Sequence, residues 1–345
     1  MTDSARSDCS ARSASSAAAT VMAHVQTWRP YTLWYVGFLG LAGAALSDGS
    51  HSGWRLLAAW STPTLGWLGG HYLSDYFDRH LDGIAKPHRP IPSGRLPASM
   101  ALSCGVLLML AVAVLAVLTG WRTSLVAVLS VAAVLSYGLR LKALGIAGNL
   151  VRGALGALAL LYGAVIVAPL GWTLVPFLVA FLLHDTASNL VGTLRDIDGD
   201  RAGGYRTLPV SHGSVVGVWT AAGLYAGAIA AAAIGATVGH GTTRLWYLLC
   251  LAGVAGVGLM ALVPLVTQRR LLPVRIALHA HEVLVLERLA LAAAVIGLRL
   301  GAVPALALLI PALLLTWWTQ RRLRTWYELG TASATAPRPK GTTYA

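Results

Sequence analysis

Charged residues are scarce in this chain. Only 11% of its 345 residues are Asp, Glu, Lys or Arg, whereas soluble domains carry about 25%. Hydrophobic residues make up 56% of the chain. A soluble globular protein is thereby excluded, and a protein that crosses a membrane several times is indicated.

Cysteine is scarce as well. The alternation of apolar and polar residues that is typical of β-strands is also not visible. Cys9, Cys104 and Cys250 are far apart and match no metal-binding spacing. Neither a disulfide framework nor a cysteine metal site is therefore predicted.

Long apolar segments dominate instead. A membrane-spanning helix needs about 20 apolar residues, and we predict an all-α, polytopic membrane helical bundle. One segment, 281–300, carries four charged residues that are costly in lipid, so both nine and ten spans stay open. The candidate spans are 31–48, 54–77, 99–119, 123–140, 147–169, 172–196, 213–239, 244–267, 281–300 and 303–320.

The net charge of +13 lies mainly in the loops between these segments. This placement favours a role in setting membrane topology over nucleic-acid binding, so no nucleic acid is expected as a partner. Cations concentrate in every second loop, and such loops face the cytoplasm. We expect a multi-pass protein of the plasma membrane. The folded domain is predicted to span residues 25–325, with disordered tails at 1–24 and 326–345.

The first acidic cluster follows the second apolar segment. Asp78 and Asp82 are four residues apart and share one face of a helix, which Asp75 joins. Lys86 and Arg89 follow on a proline-rich loop. Carboxylates and cations in this order are typical of a site for a divalent metal and a multiply charged anion.

A second cluster repeats the pattern at the end of another apolar segment. Asp196 and Asp200 are again four apart, and Arg201 and Arg206 follow. Both clusters are predicted on the same side of the membrane. Together they suit two metal ions that bridge one diphosphate.

The two clusters resemble the signatures of the UbiA superfamily of intramembrane prenyltransferases, N-x-x-x-D-x-x-x-D and D-x-x-x-D. Here these read Ser74-Asp78-Asp82 and Asp196-Asp200. The resemblance implies nine spans and Mg²⁺-dependent transfer of an allylic prenyl group from a prenyl diphosphate to a small-molecule acceptor within the bilayer. Ser74 replaces the asparagine of the family pattern, which leaves the metal shell to be completed by water or by Asp75.

The resemblance also implies roles for individual residues. Asp78, Asp82, Asp196 and Asp200, with Asp75, are expected to hold Mg²⁺. The expected diphosphate ligands are Lys86, Arg89, Arg201 and Arg206. Positions on the faces of the apolar helices add expected pocket residues, which are His71, Ser74, Tyr137, Asn149, Arg152 and Asn189. Helix packing is the alternative for His71 and Tyr137, and extension to the membrane surface is the alternative for Arg152.

Asp185 lies on the same face as Asp196, about 16 Å deeper in the membrane. It is interpreted as a catalytic residue that takes a proton from the acceptor. A purely structural pairing with His184 or Arg152 is the alternative.

Two other functions compete with prenyl transfer. A terpene cyclase on the same scaffold would ionise the diphosphate without any acceptor. A transporter would place its charged site near the midplane, whereas these acids cluster at one end. The composition, rich in Ala and Gly and poor in Lys, favours an aromatic acceptor of the kind prenylated in high-GC bacteria.

Overall fold

The computed structural model describes residues 18–330, and these are almost entirely helical. The elements are α1 (18–28), α2 (Pro30–Leu46), α3 (Gly53–Phe77), α4 (Arg79–Ala85), α5 (Ala98–Thr119), α6 (Trp121–Leu139), a 3-10 turn (Leu141–Ala143), β1 (Leu144–Gly145), α7 (Ala147–Val165), a 3-10 turn (Trp172–Leu174), α8 (Val175–Arg195), α9 (Ile197–Ala202), β2 (Arg206–Thr207), α10 (Leu208–Gly235), a 3-10 turn (Ala236–Val238), α11 (Gly241–Thr267), α12 (Val274–Leu300), α13 (Ala302–Thr319), a π-helical turn (Gln320–Arg324) and α14 (Thr325–Leu329).

The predicted all-α membrane bundle is confirmed. Within residues 18–330, ten helices have 17 residues or more. Seven of them are long and apolar enough to cross a membrane on their own. The other three are α2, which is short, and α3 and α12, which carry polar side chains. The structure therefore has one helix for each predicted segment, and a membrane crossing by these three stays a prediction.

Glycine permits close packing between α2 and its neighbours. A Cβ added at Gly163 of α7 would overlap the backbone carbonyl of Gly40, and one added at Gly43 would overlap that of Leu160. Small residues at such crossings let helix backbones approach closely, which favours association within lipid. The central core lies between α2, α7, α8 and α12.

α12 is a central helix of the bundle, although its charges suggested a place at the membrane surface. Its Glu287 side chain accepts hydrogen bonds from His184 Nε2 at 2.5 Å and from the Tyr225 hydroxyl at 2.9 Å. Its Arg288 contacts Asp185 at 3.4 Å. These partners offset the cost of the two buried charges.

Both predicted domain boundaries fall within helices. Residues 18–28 are helical, and Ala23 in that stretch is fully buried. At the other end, α14 runs past residue 325, and its Tyr327 is buried. Residues 1–17 and 331–345 lie outside the described part of the chain, so disorder there stays a prediction.

A candidate active site at one end of the bundle

Each acidic motif straddles a break between a long helix and a short one. Asp78 ends α3 and precedes α4, and Asp196 ends α8 and precedes α9. The backbone N–H of Asp82 donates to the Asp78 carbonyl at 2.8 Å, and that of Asp200 donates to the Asp196 carbonyl at 2.9 Å. One helical turn thus separates the two carboxylates of each motif, as their spacing predicted.

The two motifs meet in space. Lys86, which follows α4, donates a hydrogen bond to Asp196 Oδ1 at 3.0 Å. α4 packs directly against α9, where Gly199 approaches Ala85 so closely that an added Cβ would lie 3.0 Å from the alanine Cβ. The loops after α6 and α9 are joined by the parallel pair β1–β2. The paired acidic turns therefore share one end of the bundle.

A cavity of about 380 Å³ opens between them. Its apolar lining comes from α3, α5, α6 and α7, and Pro63 in this lining precedes Asp78 by about four turns of α3. The four motif aspartates, Asp78, Asp82, Asp196 and Asp200, line its charged end. The apolar wall includes Pro63, Gly66, Val112, Val131, Val134 and Leu158.

Three of the four motif carboxylates are paired with cations. Lys142 Nζ donates to Asp78, and Arg89 donates to both oxygens of Asp82 at 2.9 and 3.0 Å. Asp196 accepts hydrogen bonds from Lys86 at 3.0 Å and from Arg195, whose closest nitrogen lies at 2.6 Å. Alternating charges of this kind can exchange partners when a metal and an anion enter together.

The same charges shift the ionisation of groups at the membrane surface. Burial by itself would raise the pKa of Asp196, but Arg195 and Lys86 hold that pKa well below its usual range. Burial, together with the neighbouring Asp196, raises the pKa of Asp200 to about 6. The two aspartates of one motif thus sit in different electrostatic environments.

The donor set suits Mg²⁺ that shares its ligands with a substrate. Within residues 18–330, no three carboxylate, imidazole or thiol groups are gathered closely enough to hold an ion by themselves. Mg²⁺ keeps several waters and commonly uses one or two carboxylates plus phosphate oxygens. Two pairs of carboxylates that line one cavity match that requirement.

The predicted pocket residues also line this cavity. Asn149 Nδ2 donates to Asn189 Oδ1 at 2.9 Å, which joins α7 to α8. The His71 ring hydrogen-bonds the Trp28 carbonyl oxygen through Nδ1 at 2.9 Å. Ser74 Oγ donates to Asp78 at 3.3 Å, so the serine orients a motif carboxylate. Tyr137 lines the wall between α6 and α7.

Arg152 and Asp185 lie on the same cavity, away from the paired motifs. The Arg152 guanidinium stacks 4.1 Å from the ring centre of Trp67. It forms no ion pair with any carboxylate in residues 18–330. The Asp185 oxygen Oδ2 is buried and accepts no hydrogen bond in that same range, whereas Oδ1 faces Arg288.

Three predicted site residues are not brought to the cavity. The Arg201 side chain is 61% exposed and pairs with Asp198 at the surface. Arg206 is exposed in β2. Asp75 is buried, but it accepts hydrogen bonds from Arg29 and from Tyr327 at 3.0 Å. None of these three residues lines the cavity, so their assignment to the metal and diphosphate sites stays a prediction.

Several cavity residues were not singled out from the sequence. They are Arg29, Arg195, Arg288, Arg324 and Glu328. Arg195 adjoins the second motif, and that adjacency was an available signal. Nothing local marks Glu328, which lies 242 positions after its partner Lys86.

Comparisons with known proteins agree with this geometry. The model of the UbiA prenyltransferase family matches residues 36–277. A digeranylgeranylglyceryl phosphate synthase from Thermococcus gammatolerans is 31% identical over 201 residues, which cover 58% of this chain and 72% of that protein. The synthase of the same name from Natronomonas pharaonis is 34% identical over 202 residues, with the same coverage.

Solved structures share the fold. A chain from a structural and mechanistic study of digeranylgeranylglyceryl phosphate synthase in membranes superposes with a TM-score of 0.63 at 20% identity, and covers 82% of this chain and 99% of its own. A UbiA homologue from Archaeoglobus fulgidus bound to GPP and Mg²⁺ gives a TM-score of 0.61 at 14% identity, with 80% and 99% coverage. At these identities the likeness establishes the architecture.

Proposed function

The chain belongs to the UbiA prenyltransferase family, and we propose that it transfers an allylic prenyl group from a prenyl diphosphate to a glyceryl phosphate acceptor in the membrane. One observation carries the proposal. Both acidic turns and their cations line the charged end of a single cavity whose other end is apolar. Such a cavity matches a diphosphate joined to an isoprenoid chain.

The donor half of the site supplies the leaving-group chemistry. The two motif pairs, Asp78 with Asp82 and Asp196 with Asp200, would hold Mg²⁺, the ion present with GPP in the Archaeoglobus fulgidus homologue. A metal held there would supply Lewis-acid stabilisation of the charge on the departing diphosphate.

The chain's own cations contribute to the same step. Lys86, Arg89 and Lys142 line the charged end and would bind phosphate oxygens once the metal takes over their carboxylate partners. The bond between the allylic carbon and the diphosphate oxygen then breaks, and the oxygen keeps the electron pair. The apolar wall excludes water, which would otherwise capture the cation.

The acceptor half favours an anionic acceptor. The names of the two relatives describe a product in which two geranylgeranyl chains are carried by glyceryl phosphate. A transferase that makes such a product adds one chain to a glyceryl phosphate that already carries the other. Arg152, a cavity cation without a carboxylate partner in residues 18–330, suits the phosphate of this acceptor. This proposal replaces the aromatic acceptor that the composition suggested.

Asp185 is the proposed base of the transfer. An acceptor hydroxyl oxygen forms the new bond to the allylic carbon and releases its proton. Asp185 lines the cavity, and its buried oxygen Oδ2, which has no hydrogen-bond partner among residues 18–330, would accept that proton. Arg288, which contacts Oδ1 at 3.4 Å, holds this carboxylate in place.

The same site supports a proposal for the membrane orientation. The chain is an integral membrane protein, and the cation-rich loops lie at the end that carries both motifs. We place this end at the cytoplasmic face of the plasma membrane, where soluble diphosphate heads and Mg²⁺ are available.

The test is a product assay with the full chain in lipid nanodiscs. Geranylgeranyl diphosphate and Mg²⁺ are supplied with geranylgeranylglyceryl phosphate, with 4-hydroxybenzoate, or with no acceptor, and products are identified by mass spectrometry. We expect a doubly prenylated glyceryl phosphate, and no product after chelation of the metal.

The other outcomes are equally informative. A prenylated 4-hydroxybenzoate as the main product would restore the aromatic acceptor. A terpene formed without acceptor would identify a cyclase. No consumption of any prenyl diphosphate with Mg²⁺ present would refute the proposed function.

A further inference from the structure

Three cations converge on one carboxylate at the charged end of the cavity. Glu328 Oε2 lies 2.9 Å from Lys86 Nζ and 3.2 Å from Arg89 Nη2. Its Oε1 lies 3.1 Å from Arg195 Nη1. Both oxygens are therefore engaged, and the side chain is only 9% exposed.

The same cations also hold the acidic motifs. Arg89 binds both oxygens of Asp82, while Lys86 and Arg195 bind Asp196. Glu328 thus occupies a point that lies between the first motif and the second. Three side-chain nitrogens thus lie 2.9 to 3.2 Å from the two carboxylate oxygens of Glu328. The oxygens of a phosphate group contact basic side chains in the same way.

Glu328 is carried by a segment that is short and separately anchored. α14 has five residues and follows the π-helical turn Gln320–Arg324, a form of helix that commonly marks functional positions. Its Tyr327 hydroxyl donates to Asp75, and Arg89 stacks 4.4 Å from the Tyr327 ring centre. The segment also lies beyond residues 36–277, which the family model matches.

We infer that Lys86, Arg89 and Arg195 form the subsite for one phosphate of the prenyl diphosphate, and that the Glu328 carboxylate occupies this subsite until the substrate displaces it. The inference rests on the proposed function, because it names the donor's binding residues. It adds Arg195 to the binding site and gives α14 the role of an internal competitor.

The competition has a measurable consequence. A carboxylate and a phosphate cannot both occupy the point where the three cations meet, because the two anions repel each other in a poorly solvated site. The apparent affinity for the donor is then reduced by the fraction of molecules in which Glu328 has moved away. Removing the negative charge of Glu328 should raise that fraction.

The first experiment compares Glu328→Gln with the unmodified chain in nanodiscs. We expect KM for the prenyl diphosphate to fall by about tenfold while kcat changes by less than about threefold, as for release of an internal competitor. Glu282→Gln is the matched control, because Glu282 pairs only with His279, at 3.9 Å, among the ion pairs of residues 18–330. A higher KM, or a large loss of kcat, would overturn the inference and make Glu328 a residue that positions the cations.

The second experiment needs no variant, so a folding defect of Glu328→Gln does not block the test. Hydrogen exchange of the amides in Thr325–Leu329 is followed by mass spectrometry with Mg²⁺ alone and with Mg²⁺ plus inorganic pyrophosphate. We expect faster exchange when pyrophosphate binds, because α14 leaves the subsite. Unchanged or slower exchange, with pyrophosphate binding established by calorimetry, would overturn the inference.

Failure of this inference is distinguishable from failure of the proposed function. Prenyl transfer with an unaltered α14 refutes only the role of Glu328. A chain that neither binds magnesium pyrophosphate nor consumes a prenyl diphosphate refutes both.

Discussion

Two clusters of acids, cations and tyrosines lie in this bundle, and they differ in their access to the cavity. At the charged end, Glu328 shares Arg89 with Asp82, and it shares Lys86 and Arg195 with Asp196, along the cavity wall. Around α12, both oxygens of Glu287 accept hydrogen bonds, one from His184 and one from Tyr225, and the Glu287 side chain is 0% exposed. Glu287 does not line the cavity.

The comparison separates binding chemistry from structural chemistry. A carboxylate with several cation partners on a cavity wall can exchange them for a metal and a phosphate. A carboxylate enclosed by His184 and Tyr225 inside the bundle instead ties α8, α10 and α12 together. Asp185 lies between the two cases, since it lines the cavity with one oxygen near Arg288, while the other is buried without a hydrogen-bond partner among residues 18–330.

The largest expected effect comes from removing the carboxylates that would hold the metal at the charged end. Asp78→Asn and Asp196→Asn should each lower turnover by at least about a hundredfold, because each removes a charge that stabilises the departing diphosphate. The measurement is the initial rate of diphosphate release at saturating Mg²⁺. Asp198→Asn is the control on α9, since the Asp198 side chain is 90% exposed, and it should stay within about twofold. Equal rates for all three variants would remove the metal assignment.

The next largest effect comes from changing Glu287 in the structural cluster around α12. Glu287→Gln should lower the free energy of unfolding by about 3 kcal/mol, because a buried ion pair loses one partner. Unfolding in detergent is followed by circular dichroism, with Glu282→Gln as a control that should change by less than about 0.5 kcal/mol. The folded fraction should keep the KM of the prenyl diphosphate. A stable variant with a raised KM would instead place Glu287 in the donor site.

A smaller effect, on KM, distinguishes the residues that bind the acceptor from those that bind the donor. Arg152→Gln should raise KM for geranylgeranylglyceryl phosphate by about tenfold and leave that of the prenyl diphosphate unchanged, because it removes one charge-assisted contact. Arg140→Gln, at an exposed position before β1, should change neither. A rise in the KM of the diphosphate instead would assign Arg152 to the donor.

The smallest effect concerns a cation that follows the second motif but lies outside the cavity. Arg201→Gln should change KM for the prenyl diphosphate by less than about twofold, because its side chain is exposed and pairs with Asp198. Lys86→Gln, assayed in parallel, should raise the same KM by about tenfold or more. Similar effects of the two substitutions would return Arg201 to the diphosphate site.

Local spacing explains what the sequence predicted well. The separation of four residues between Asp78 and Asp82 survives the break between α3 and α4, because one backbone turn still links them. The separation of Asp196 and Asp200 likewise survives the break between α8 and α9. The apolar segments likewise specify helices over most of their predicted lengths.

Side-chain direction and long sequence separation explain what the sequence did not predict. Arg201 directly follows Asp200, and neighbouring residues on a helix point in directions about 100° apart, so adjacency did not bring its side chain to the cavity. Glu328 meets Lys86 across 242 positions, and no sequence pattern records such a contact. Ion-pair partners in the bundle also made α12 a central helix, although its charges suggested a place at the surface.

The most direct measurement of the central claim is Mn²⁺ binding in place of Mg²⁺, followed by electron paramagnetic resonance with an unreactive prenyl thiolodiphosphate. We predict tight Mn²⁺ binding only when the thiolodiphosphate is present, and its loss in both Asp78→Asn and Asp196→Asn. Mn²⁺ binding that survives either substitution unchanged would contradict a diphosphate held between the two acidic turns.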